Sequence, residues 1–311
     1  VQVRSSAIIF PTFAARRPDA AVRLWPHLGE RLDYWWQRAR TCVDVEDDAE
    51  MFRAGREPLT ISQTRQAHYA CFVEGVAAAE WATARTSCAV IVPHSMGLFA
   101  GYHVAGALEF EEALHLMDRL CVLLHEQRPF VPCSTGAIAG LPRVAVDELL
   151  ASATAPVWIA DWYDDDVFLV SGPQHAVEVI LKRALGRGAT YTKSTPATAP
   201  YHTPELVSFE ESAHQYLAGV IVSPPRIPVI SSIDGSVSRT AADVRREVAR
   251  NACHPMNWRA AVKVLASNAF RVDTVVECGS SVSLTEMIRH HLPIDSAPAT
   301  IAALAREAVV S

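Results

Sequence analysis

The chain has 311 residues, half of them hydrophobic and one fifth charged, with a net charge of −6. A chain of that length buries a substantial interior. No apolar run approaches the roughly 18 residues of a membrane span, and no basic stripe of the kind that grips nucleic acid stands out. The seven cysteines lie at scattered spacings without a CxxC pair, and read as reduced, mostly buried thiols of a cytoplasmic protein. Cys121 and Cys278, in apolar segments, read the same way rather than as reactive groups. The opening VQVRSSAIIF has too short an apolar run for a secretory signal.

Arg4 to Phe10 reads as a buried strand stopped by Pro11. A helical pattern follows from Ala21 to about Ala84, with breaks expected near Pro26 and Pro58, because proline lacks a helix N–H and clashes with the preceding turn. Ala89 to Val92 is a second buried strand, and Phe110 to Glu126 an amphipathic helix. The middle of the chain changes rhythm. A strand at Ser134 to Ala139 and a helix at Ala145 to Ser152 come first. Strands at Val157 to Trp162 and Val167 to Ser171 then flank the acidic turn YDDD, and a helix (Pro173 to Leu185) and a strand (Thr190 to Lys193) follow. This β-α-β-β-α-β order is the ferredoxin-like unit. Asp164 to Asp166 reads as a solvated turn, since adjacent Asp residues there do not face one another as metal ligands must. Val272 to Glu277 is a further strand and Val282 to His290 a helix. The fold class expected is α/β. A hydrolase-like parallel-sheet large domain takes residues 1–128 and 198–311, and a ferredoxin-like small subdomain, residues 129–197, is inserted into it.

Two short stretches carry candidate chemistry. In AVIVPHSMGLFAGYHVAG a buried strand stops at Pro93 and a helix-like segment begins after Gly97, with Ser95 on the turn between them. A nucleophile elbow has this form: the hydroxyl stands proud of the sheet, and the N–H groups of the helix behind it face a developing oxyanion. Here Pro93 takes the place of the first glycine of GxSxG, and the match is also that of an ordinary strand-to-helix connection. A serine nucleophile needs a base. Of the twelve histidines, His202 in ATAPYHTPEL is the candidate, held between Pro200 and Pro204 just past the inserted unit, where a cleft forms between domains. A histidine on a loop is equally a surface or capping residue.

The pieces together resemble the malonyl-CoA:acyl-carrier-protein transacylase family, which includes the acyltransferase domains of polyketide synthases. IIFPTFAAR is similar to the family's opening strand and loop, and IVPHSMGLFAGYHVAGALEFEEAL to its nucleophile segment. APYHTPEL, PVISSIDG, NACHPMNW and VVECGSSVSLTEMI follow in the family's order. The resemblance implies that Ser95 accepts the acyl group and that His202 is its general base and then general acid. Asn251 stands where the family has a glutamine and would orient the base. The backbone N–H groups of Phe13 and Met96 would form the oxyanion hole, and His94, Leu120, Arg119 and Tyr201 would lie around the substrate. No bound cofactor is implied; the phosphopantetheine arm of an acyl carrier protein, or CoA, is the substrate. The partner implied is an acyl carrier protein, with neither nucleic acid nor membrane. Arg183, Arg187, Lys193, Arg259 and Lys263 are candidates for its docking surface, or else scattered solubilising charge.

One departure bears on the substrate. The family's carboxylate-pairing Arg aligns with Leu120, and the adjacent Arg119 is turned by about 100° along a helix. The expectation is therefore a stand-alone acyltransferase of polyketide-type biosynthesis that moves a neutral, non-malonyl acyl group (starter, aminoacyl or dipeptidyl). An editing thioester hydrolase of the same fold, a malonyl transacylase that uses Arg119, and a non-catalytic carrier-binding scaffold are the alternatives.

Overall fold

The computed structural model describes residues 4–12, 18–45, 60–128, 131–267, 269–279, 283–288, 291–292, 297–299 and 301. The chain opens with strand β1 (Ser5–Phe10) and helices α1 (Pro18–Cys42) and α2 (Ile61–Thr83). Strand β2 (Ser87–Pro93) and helices α3 (Gly97–Val104) and α4 (Phe110–Gln127) follow. The inserted unit holds β3 (Cys133–Ala139), α5 (Arg143–Ala151), β4 (Trp158–Asp164), β5 (Val167–Pro173), α6 (Gln174–Gly186) and β6 (Tyr191–Ala197). The chain then returns through α7 (Val207–Leu217), β7 (Val229–Ile230), β8 (Val237–Ser238), α8 (Ala241–Arg250) and α9 (Trp258–Ala266). Strand β9 (Thr274–Glu277), α10 (Ser283–Ile288) and β10 (Ala297–Ala299) complete the described elements.

Two sheets result. The larger has six strands in the order β10-β9-β1-β2-β7-β8, parallel throughout except for the β7–β8 pair. Its central strands are buried, as the runs AIIF and VIVP require of a sheet covered on both faces. The smaller is a four-stranded antiparallel sheet in the order β4-β5-β3-β6, which sets the unit's first strand between its third and fourth, as in ferredoxin-like folds. Ile138, Phe168, Val170, Val177 and Ile180 form its separate core against α5 and α6. Among the described residues no helix is long and apolar enough to cross a membrane.

Helix α1 corrects one expectation, because it runs on through Pro26. One proline removes one helix hydrogen bond, at a cost of about 3 kcal/mol. The buried stripe Leu28, Leu32, Trp36 and Ala39, spaced to fall on one face, holds the helix against the core and offsets that loss. The acidic turn is exposed at Asp165 and Asp166 as expected, and it also reaches the large domain: Asp164 accepts from His291 Nε2 at 2.9 Å and Asp165 pairs with Arg259. Nearby, β4 hydrogen-bonds to the segment after α8: Trp162 N–H donates to Met256 O at 3.0 Å, and Met256 N–H to Ala160 O at 2.8 Å.

Candidate active site

β1 and β2 end side by side, Phe10 opposite Pro93, and the His94 N–H donates to Phe10 O at 2.8 Å. The chain then turns sharply into α3. Ser95 takes a left-handed backbone conformation, φ 49°, which costs a non-glycine residue of order 1–3 kcal/mol. Gly97 makes the turn possible: a Cβ there would lie 2.4 Å from Phe10 O. Ser95 thus stands at the end of a parallel strand in front of a helix N-terminus, the geometry of a nucleophile elbow. The Met96 amide belongs to that N-terminus, as Met96 caps α3. Phe13 lies outside the described residues.

His202 comes from the loop after β6, followed by a turn of 3-10 helix at Pro204–Leu206. It is the other non-glycine residue with positive φ among those described, at 61°. Its Nε2 lies 2.8 Å from Ser95 Oγ, and both residues are buried, 8% and 7% exposed. Burial pushes the imidazole pKa down to about 4, partly countered by the charge of Asp161 and reinforced by His94. The ring is therefore neutral at pH 7, and in the tautomer protonated on Nδ1 its Nε2 lone pair can take the serine proton. The loop that carries Asn251 reaches His202 through its main chain: the His202 N–H donates to Ala252 O at 2.7 Å, and the backbone at Asn251 and His254 favours the protonated ring. Asn251 itself is buried.

Beside the pair is a second histidine contact that the sequence reading missed. His94 Nε2–H donates to Asp161 Oδ2 at 2.6 Å, and both side chains are buried. The His94 ring stacks on Tyr163 at 5.5 Å and meets Trp258 edge-on at 5.4 Å. Burial and the neighbouring Asp161 carboxylate push the Tyr163 phenol well up. Asp161 and Tyr163 lie on β4, so His94 joins the elbow to the inserted unit. The available signal was an acid inside an otherwise apolar strand, WIADW.

The remaining expected residues divide into two groups. Leu120 is 5% exposed and belongs to the same apolar cluster as Leu98 and Phe99, against which Met96 and Tyr201 pack. Tyr201 adjoins His202, with ring centres 6.5 Å apart, and its hydroxyl lies 2.9 Å from Thr198 Oγ1. Arg119 is on the other side of α4, its side chain 46% exposed and 4.0 Å from Glu126. Of the expected docking cations, Arg183 donates to Ser152, Arg187 pairs with Glu148 and Arg259 with Asp165. All seven cysteines are free thiols, and burial raises Cys121 to about 12 and Cys278 well above its ordinary value.

No family model matches the chain. Over 202 residues, 65% of this chain and 64% of the relative, it is 23% identical to a malonyl CoA-acyl carrier protein transacylase of Buchnera aphidicola. Over 207 residues it is 25% identical to the polyketide biosynthesis protein ThaF of Burkholderia thailandensis, covering 66% of this chain and 17% of that one. The chain thus spans less than two thirds of the length of these two relatives. Its fold is that of the malonyl CoA-acyl carrier protein transacylase of Coxiella burnetii: TM-score 0.82 at 23% identity, over 99% of this chain and 98% of the other. The chain is thus similar in sequence to a malonyl CoA-acyl carrier protein transacylase and to a polyketide biosynthesis protein, and it shares the fold of a malonyl CoA-acyl carrier protein transacylase.

Proposed function

We propose that the chain is an acyltransferase. It moves an acyl group from a thioester donor, CoA or an acyl carrier protein, to an acyl carrier protein through an ester on Ser95. The observation that carries this reading is the buried contact of Ser95 Oγ and His202 Nε2 at 2.8 Å. His202 takes the hydroxyl proton as Oγ attacks the thioester carbonyl. The tetrahedral oxyanion sits at the α3 N-terminus, where the Met96 N–H stabilises it; the resemblance implies the Phe13 N–H as a second donor. Collapse breaks the C–S bond, and the departing pantetheine sulfur takes the proton back from His202. An incoming pantetheine thiol repeats these steps in reverse. The reaction calls for no bound cofactor, since the phosphopantetheine arm is itself substrate. Asn251 orients the base by way of its loop.

The acyl group is neutral in this reading. Leu120, Leu98 and Phe99 belong to one buried apolar cluster, against which Met96 and Tyr201 pack and which would wall the acyl site, and Arg119 faces outward beside Glu126. A carboxylate entering such a wall would lose its water without gaining a partner. A competition between malonyl, acetyl and larger neutral or aminoacyl thioesters, scored by kcat/KM on a carrier protein, tests it. A neutral group should win, and Leu120→Arg should move preference toward malonyl. If malonyl wins and Arg119→Ala removes that preference, the assignment of Leu120 is wrong. Release of free acid in place of carrier acylation would make the chain a hydrolase.

A further inference from the structure

The loop after α8 meets α7 at a cluster of side chains for which the acyl chemistry has no use. His254 Nε2 lies 2.8 Å from Glu210 Oε2, and Cys253 Sγ lies 3.9 Å from the same oxygen. One donor atom from each of Glu210, Cys253 and His254 falls within 4.8 Å of the other two. His214, one turn along α7, places Nε2 3.8 Å from the other oxygen of Glu210. The thiol closes the buried end of the cluster, while Glu210 and His254 are partly exposed and His214 more so. An ion would reach the cluster from solvent.

A thiolate, an imidazole and a carboxylate are a zinc donor set. Bonds of about 2.0–2.3 Å in a tetrahedron put donors about 3.3–3.7 Å apart. The Glu210–His254 contact would have to open by roughly half an ångström and the Cys253–Glu210 contact to close by a few tenths, both within reach of small side-chain rotations. An ion pair explains Glu210 and His254; the thiol beside them is also a core side chain, 3.6 Å from Arg250 O and 3.7 Å from Ala249 O, and it completes a set of three different zinc-ligating atoms.

We propose that Glu210, Cys253 and His254 bind a Zn2+ ion, with its fourth position facing His214. Burial and the Glu210 charge hold the Cys253 thiol at about 12, so the ion displaces that proton to solvent on binding. The site would be structural. Ala252, next to Cys253, accepts the His202 N–H, and α7 follows His202 directly after one turn of 3-10 helix. The ion would tie together the two segments that frame the base, so its role is positioning. Its binding is independent of which acyl group the protein carries.

The experiment is a titration of chelator-treated protein with Co2+ as a spectroscopic probe, then with Zn2+. One equivalent of Co2+ should bind, with a thiolate-to-cobalt charge-transfer band in the near ultraviolet that Zn2+ abolishes. Cys253→Ser should remove that band. Glu210→Gln and His254→Ala should each weaken Zn2+ binding at least about tenfold in competition with a chromogenic chelator. Zn2+ should raise the thermal midpoint of the unmodified protein more than that of Glu210→Gln, which keeps a hydrogen-bonding side chain should Cys253→Ser fail to fold. Absence of saturable uptake, or a charge-transfer band that survives in Cys253→Ser, overturns the proposal.

Discussion

His94 and His202 both lie in the buried heart of the site, yet their surroundings are opposite. His94 follows the strand end, donates to Asp161 at 2.6 Å and is enclosed by Tyr163 and Trp258. His202 arrives from the far side of the inserted unit on a strained backbone, and its Nε2 meets Ser95 Oγ at 2.8 Å. In a Ser-His-Asp triad the carboxylate marks the base. Here the carboxylate belongs to the histidine that does not contact the hydroxyl. The difference teaches that contact with Ser95, rather than with a buried carboxylate, is what points to His202 as the proposed base, while Asp161 fastens the elbow to the subdomain and adds a negative charge that favours a protonated His202.

The largest expected effect sits on the His202 side. Ser95→Ala should abolish acyl loading, and His202→Ala should lower its rate by at least about 10^4-fold, because the pair acts as a unit. Intact-mass measurement after exposure to an accepted thioester reads both. A His202→Ala variant that loads normally would transfer the role of base to His94 and reverse the comparison.

Next comes the His94 side, read in stability. Asp161→Ala leaves the buried His94 donor without its partner and should cost about 1–3 kcal/mol in urea unfolding. Asp161→Asn keeps an acceptor and should recover most of that loss, with acyl loading within about tenfold of the parent. If Asp161→Asn slows loading as much as His202→Ala, the acid is part of the catalytic unit after all.

Acid tests the His202 side further. The ordinary imidazole value is 6.5, and folding lowers that of His202 to about 4. Between those values the unfolded chain binds a proton that the folded chain refuses, so this contribution to stability is complete above about pH 6.5 and is lost as the pH falls toward about 4. The loss should reach at most about 3 kcal/mol, and His202→Ala should flatten that part of the urea-midpoint profile. Acyl loading, which needs the neutral ring, should stay level through neutral pH and fall only near pH 4. A loading curve that falls near pH 6.5 would mean that the base is not desolvated.

The smallest effect provides a control of opposite sign. Glu247 is buried and accepts from the Ser231 hydroxyl at 2.6 Å, and burial raises its carboxyl to about 7. Its folded value lies above its ordinary 4.5, so stability is lost as the pH rises through 7. Glu247→Gln should change stability by no more than about 1 kcal/mol in mild acid and should be stabilising in mild alkali. Equal destabilisation at both would show that shape rather than charge governs the site.

Much of this arrangement was legible in the chain. The alternation of VIVP with HSMG marks the elbow, and the rhythm between Cys133 and Ala197 marks the inserted unit, because both depend on local periodicity. The turn of Arg119 away from Leu120 follows from helix geometry once the resemblance places Leu120 at the family's Arg position. The His94–Asp161 contact was not legible: its members are 67 residues apart and meet only when the subdomain packs on the elbow. The continuity of α1 through Pro26 was hidden for a similar reason, since tertiary burial of one face outweighs a local breaker.

The two backbone hydrogen bonds between β4 and Met256 bear on how this protein can be recombined. Arg128 donates to Thr198 O and Cys133 pairs with Ala197, so the chain enters and leaves the inserted unit at neighbouring points, in the form of a cassette exchangeable between relatives. The pairing of Ala160 and Trp162 with Met256 means that such a cassette has a third, non-contiguous attachment. A chimera cut at the two chain crossings would inherit an unmatched strand edge and a displaced Asp161. One that also carries the donor's segment around Met256 would keep both the seam and the His94 contact.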